Sequence, residues 1–197
     1  MKKFLFLLFF SMCTVNANAA PITYIHTGSG SGTLDGVAFG ASAPLNFTIT
    51  AIGDTNNVAS CSIGCIYNDN ISASIHIETL GSFDFTTATR FFMNNNSGTV
   101  GFSRAGSNGA DLFNGPTLVS WDMTSSIGPV SGTASLLQWG NSNIDTTGGV
   151  LFFNNQSNIA STFSATVAAV PEPSSYALLL AGIGLVGFAA SRKKHAR

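Results

Sequence analysis

Through the middle of the chain apolar residues take every second place, the pattern of a strand with one buried face. Residues 45–51 read Leu-Asn-Phe-Thr-Ile-Thr-Ala, and residues 71–79 put Ile71, Ala73, Ile75 and Ile77 on one side. Residues 161–167 alternate in the same way, just before the C-terminal tail. Shorter apolar runs at 83–85, 90–93, 99–102, 117–121, 134–139 and 150–153 also read as strands. Turn formers separate them at 94–98, 107–109, 114–116, 127–129 and 147–149. No window carries a long helical period, and no segment repeats at a fixed spacing. Many short strands with frequent turns predict an all-β domain, an antiparallel β-sandwich or jelly roll. Sixteen Phe, less those in the two end segments, supply the large groups for its core.

The two ends break this pattern. Lys2 and Lys3 precede apolar residues 4–10 and 12–15, and Ala17-Asn18-Ala19 offers a small-x-small cleavage pattern. These features predict a signal helix over 1–19, passed through the secretion translocon and cut by signal peptidase after Ala19. Lipoprotein processing at Cys13 would want a small residue before it, and Met12 is not small. At the other end Pro171, Glu172 and Pro173 come first, then an apolar run from Tyr176 to Ala190, then a basic stop of Arg192, Lys193, Lys194 and Arg197. The prolines prevent a helix from extending backwards, and Ser174 or Ser175 can cap the one that follows. The run is fifteen residues long, shorter than the roughly 20 of a comfortable span. Snorkelling flanks make up the difference, and the basic end holds the C-terminus in the cytoplasm. Such a run could also be a buried helix. Its place at the end of an exported chain makes it a single transmembrane helix. The expected division is 1–19 signal peptide, 20–169 extracytoplasmic passenger, and 170–197 sorting tail.

Charge follows the same division. Residues 20–170 hold eight acids and only two bases, Arg90 and Arg104, a net of −6. An acidic domain repels phosphate backbones, so nucleic acid is not an expected partner.

The order Pro171-Glu172-Pro173, one apolar helix and a basic end resembles the PEP-CTERM class of sorting signals. The likeness covers about 28 residues at the C-terminus. It implies recognition in the inner membrane by an exosortase, a cysteine transpeptidase that cuts near the motif and passes the protein outward. Family members occur in Gram-negative bacteria that make exopolysaccharide, which implies a matrix association. Passengers in this family differ widely, so the tail speaks to handling and not to activity. Residues 31–40, a Thr-rich strand and Gly53-Asp54-Thr55 also resemble openings of other PEP-CTERM passengers.

Candidate chemistry in the passenger is sparse. Cys61 and Cys65 are the cysteines left after signal removal, and in an exported chain they are expected to pair as a disulfide. The rival is a zinc site, which would have to recruit His76 or His26 because four ligands are needed. His76 and Glu78 share the outward face of one strand, as an acid–base pair or as solvated residues; alternation alone explains them. His26 falls close to the new N-terminus, where order is often lost. No Gly-x-Ser-x-Gly elbow or catalytic-cysteine signature occurs. Asp84, Asp111, Asp122 and Asp145 could supply the carboxylate pair of a glycosidase. Asn141, Asn143 and Asp145 alternate as oxygen ligands would. The EF-hand places fail at Asn141, Thr146 and Phe152, which leaves only a looser calcium loop. Asn46, Asn70, Asn95 and Asn155 begin Asn-x-Ser/Thr sequons and read as polar turns and faces.

Two functions compete. The expected one is a non-catalytic envelope or matrix protein, structural or adhesive and exopolysaccharide-associated, without cofactor or metal. In it an exposed Trp121 or Trp139 would stack on a sugar ring. The alternative is a secreted glycan-acting hydrolase using two of the aspartates.

Overall fold

A computed structural model describes residues 20–106, 109–169 and 179–184. Its strands are β1 (Pro21–Gly30), β2 (Gly32–Leu34), β3 (Val37–Phe39), β4 (Leu45–Asp54), β5 (Ala59–Ser62), β6 (Cys65–Asp69), β7 (Ser72–Ile77), β8 (Gly81–Asp84), β9 (Thr89–Asn94), β10 (Thr99–Arg104), β11 (Asp111–Thr117), β12 (Ile127–Leu136), β13 (Ile144–Thr146), β14 (Gly149–Phe153) and β15 (Gln156–Val167). Two 3₁₀ turns, Thr55–Asn57 and Trp139–Asn141, interrupt them. Residues Ala19–Ala168 form one compact unit.

The all-β, antiparallel expectation holds. Eleven strands form one sheet in the order β5-β6-β9-β10-β11-β12-β15-β1-β4-β7-β8, and four form a second in the order β13-β14-β2-β3. An open sheet of this width curls. Residues far apart in strand order consequently meet on its inner face. The Tyr24 ring of β1 lies 4.8 Å from Phe91 of β9, and Phe47 of β4 lies 5.1 Å from Phe113 of β11. Asn68 of β6, fully buried, donates to the Tyr24 hydroxyl and to the Asp54 carbonyl, both at 2.9 Å. The smaller sheet covers part of this core: Phe153 of β14 packs on Phe47 and Trp139, each at 4.9 Å between ring centroids.

Inward positions carry the apolar set that alternation predicted. Ile49, Ile75, Ile77, Phe102 and Phe163 are wholly buried. Each such side chain contributes about 1.5–3 kcal/mol on leaving water. Several expected elements differ. Residues 117–121 are loop beyond Thr117, and the strand precedes them as β11. Residues 137–139 leave the strand and enter the 3₁₀ turn. Residues 114–116 and 127–129, expected as turns, lie within β11 and β12 beside shifts in pairing register. A bulge accommodates the Gly-Pro pair that a regular ladder would reject.

The expected signal helix, its cleavage point at Ala19, the sorting triplet Pro171, Glu172 and Pro173, the membrane-run ends Tyr176 and Ala190, and the basic residues Arg192, Lys193, Lys194 and Arg197 lie outside the described residues. Residues 179–184 are helical. No helix among the described residues is long and apolar enough to cross a membrane.

Candidate functional site

The two histidines among the described residues occupy different environments. His26 is not near a loose terminus. It points inward from the middle of β1, fully buried, with ring centroids of Phe113, Phe163 and Phe91 at 4.2, 5.6 and 6.1 Å. Burial lowers its pKa to about 3, and the Gly115 backbone, which favours the charged form, is outweighed. Beyond the Gly115 backbone contact, neither ring nitrogen has a hydrogen-bond partner among the described residues. The sequence hid this placement because the inward face of β1 reads Ile22, Tyr24, His26, Gly28 and Gly30, only partly apolar by residue type. His76, by contrast, is exposed and its Nδ1 lies 3.0 Å from Ser82 Oγ. Glu78 accepts from Asn46 Nδ2 at 3.0 Å. The two side chains therefore engage different neighbours.

The four candidate aspartates fall in different settings. Asp84 and Asp145 flank the bridge that joins Phe85 to Thr146, and both are exposed. Asp111 Oδ2 accepts from Asn114 Nδ2. Asp122 caps a turn, accepting from the backbone of Thr124 at 2.9 Å and Ser125 at 3.1 Å. The Thr124 N–H, first among its partners, holds the Asp122 carboxyl below its ordinary value. No group of three or more His, Cys, Asp or Glu side chains able to hold a metal occurs among the described residues. Cys61 and Cys65 form a disulfide across the β5–β6 hairpin, with a Cα separation of 5.3 Å. That pairing removes the thiolates on which the zinc reading depended.

Both tryptophans are buried rather than exposed, at 5% for Trp121 and 2% for Trp139. Their indole N–H groups donate inward, to Ser125 O at 3.0 Å and Leu112 O at 2.8 Å. A sugar-stacking role for either ring is overturned by this burial.

Two polar surfaces remain. The first is the outward face of the central strands, where pairing lines up small hydroxyl residues. One cross-strand row runs Ser131, Thr162, Thr27, Thr48, His76 and Ser82. Its neighbour runs Ser164, Ile25, Thr50, Ser74 and Asp84. Adjacent members stand about 4.8 Å apart, the spacing of neighbouring strands. The Thr27 and Thr162 hydroxyls are hydrogen-bonded at 2.6 Å. Neither row contains Lys or Arg.

The second is a shallow depression of about 390 Å³ between the end of β12 and the start of β15, lined by Gln138, Gly140, Asn141, Phe152, Asn154 and Asn155 together with Leu137. Side-chain hydrogen bonds fix two of its amides. Gln138 Oε1 accepts from the Asp111 N–H at 3.1 Å, and Asn154 Nδ2 donates to Ser31 Oγ at 3.0 Å. Gln138 thus keeps a donor and Asn154 an acceptor for another partner. Phe152 is half-buried on the floor. Sequence reading missed this place, since its residues come from two segments separated by β13 and most of β14.

Residues 169–193 match the PEP-CTERM protein-sorting motif. The tail therefore carries that motif, which implies an exported protein processed by an exosortase. No curated protein and no solved structure matches the chain.

Proposed function

We propose that this chain is an exported cell-envelope protein whose signal peptide ends at Ala19, whose tail is handled by an exosortase at the inner membrane, and whose β domain serves in the extracellular matrix as a non-catalytic, exopolysaccharide-associated module. The sorting motif at residues 169–193 carries this reading. Three features of the passenger support it. The Cys61–Cys65 disulfide suits an oxidising compartment. The hydroxyl rows of the outer sheet face and the amides beyond β12 offer paired donors and acceptors, the groups that replace water around a sugar. The depression is lined by neutral amides and one aromatic ring, groups suited to holding a sugar.

Fractionation of the native host tests the handling, and retention on its own exopolysaccharide tests the role. The chain is expected with the surface or matrix fraction, shortened at both ends, and it should accumulate at the inner membrane when the exosortase is deleted. Full-length chain recovered from the cytosol would overturn the export reading. Absence of retention on the polymer would confine the domain to a structural part.

A further inference from the structure

We propose that the depression lined by Gln138, Asn141, Phe152, Asn154 and Asn155 is a binding site for a neutral pyranose unit of a polysaccharide, with Phe152 as the platform for the sugar's C–H face. The proposal deepens the exopolysaccharide reading and rests on it.

A pyranose has an apolar face and a rim of hydroxyls. Its site needs one exposed aromatic surface surrounded by groups that both donate and accept. This depression supplies that combination. Phe152 points out of β14 opposite Thr33 and keeps part of its ring uncovered. The ring is accessible because Gly140 stands beside it: a Cβ there would lie 3.5 Å from Phe152 Cε2, in ordinary contact. Any longer side chain at 140 would extend over the ring. Around the ring, Gln138 offers a donor and Asn154 an acceptor, each held by its other half. The exposed amides of Asn141 and Asn155 complete the rim. A volume of about 390 Å³ falls within the range of small-ligand sites, roughly 300–1,000 Å³.

The lining contains no charged side chain, and the passenger carries a net of −6. A uronate would lose hydration without gaining a cation, and the field of the domain repels it. Hence the ligand is a neutral sugar. The site also sits where a polymer can reach it. β15 begins beside the depression at Gln156 and ends at Val167, where the chain leaves the domain. Twelve residues of strand separate the two, about 36 Å at 3.3 Å per residue. The depression therefore lies at the opposite end of β15 from the residues that lead to the sorting motif.

The test is affinity electrophoresis of the purified full-length chain through gels containing dextran, mannan or alginate. Wild type should be retarded by a neutral polymer and not by alginate. Gly140→Leu covers the ring without backbone strain, and Asn155→Ala removes an exposed amide; each should weaken retardation at least tenfold with an unchanged melting temperature. Retardation of both variants equal to wild type would overturn the proposed site and leave the polysaccharide reading standing. The hydroxyl face would then be the binding surface, and Thr48→Lys with Thr50→Lys should abolish retention. A preference for alginate would overturn the neutral ligand. Binding neither to any of these polymers nor to the host's own would sink both readings together. Should Gly140→Leu fail to fold, Asn155→Ala alone decides, because that residue lies on the surface.

Discussion

At the scale of single residues, His26 is the most exacting position in the core. Its imidazole sits among phenylalanine rings and, beyond the Gly115 backbone, has no hydrogen-bond partner among the described residues. Such a site tolerates only the neutral form. Its pKa is about 3 in the fold against an ordinary value of 6.5. Between those values the unfolded chain binds more protons than the folded one, so stability rises with pH. The contribution is complete above pH 6.5 and is lost as pH falls towards 3, by at most about 1.4 kcal/mol per pH unit. We expect His26→Leu to flatten the pH dependence of urea unfolding between pH 6.5 and 4 relative to wild type. The variant should be no less stable at pH 5. Parallel profiles for the two proteins would show that water or a polar group reaches the ring. Tyr24 keeps its phenol protonated far above the usual range for a related reason. Burial dominates, and the Asn68 amide on its oxygen only partly opposes it.

At the scale of elements, the strands that the sequence reveals are those whose buried faces are made of apolar side chains. β4 and β7 are of this kind, with Phe47, Ile49 and Ala51 facing Ile77, Ile75 and Ala73. β1 was not legible because its inward positions include two glycines. Gly28 and Gly30 are there because large rings already fill the space. A Cβ at 28 would come within 2.5 Å of Phe113 Cζ, and one at 30 within 2.8 Å of Phe153 Cδ1. Volume is conserved across the fold, so a residue that looks polar or small by type can still belong to the core. The candidate site was illegible for a different reason. It joins the 3₁₀ turn after β12 to the residues after β14, and only the closing of the smaller sheet brings them together. What alternation did expose was the outward set of Thr and Ser, although not the cross-strand rows, which need the register. The β5–β6 hairpin shows how a local staple acts at this scale. β5 is a sheet edge with no apolar side chain buried, and the Cys61–Cys65 bond closes its turn. The chain-entropy gain from so short a loop is about 2 kcal/mol. Cys61→Ser with Cys65→Ser should therefore lower global stability by about 2 kcal/mol or less while hydrogen exchange in residues 59–66 rises sharply. A loss of cooperative unfolding would instead mean that this edge holds the sheet closed.

At the scale of the whole molecule, the sorting tail and the β domain meet at a boundary that suits cleavage. The last strand is fastened at its end: Val167 N donates to Ser126 Oγ and Ala168 N donates to Pro21 O, each at 2.9 Å. The motif match begins at residue 169. Among the described residues the hydrogen bonds of the sheet end at Ala168, so a cut within or beyond Pro171-Glu172-Pro173 spares all of them. Replacing Pro171, Glu172 and Pro173 by alanine should leave export and the Cys61–Cys65 bond intact while trapping a protease-resistant domain at the inner membrane. On the proposed handling at the inner membrane, replacing Arg192, Lys193, Lys194 and Arg197 by glutamine should act differently, weakening retention of the tail and releasing uncleaved chain. Fractionation with size analysis of the C-terminus distinguishes these outcomes. If the triple-alanine chain reached the surface shortened and in normal amount, recognition would lie outside the triplet. If both variants lost the folded domain as well, the boundary at Ala168 would not be the end of the folding unit.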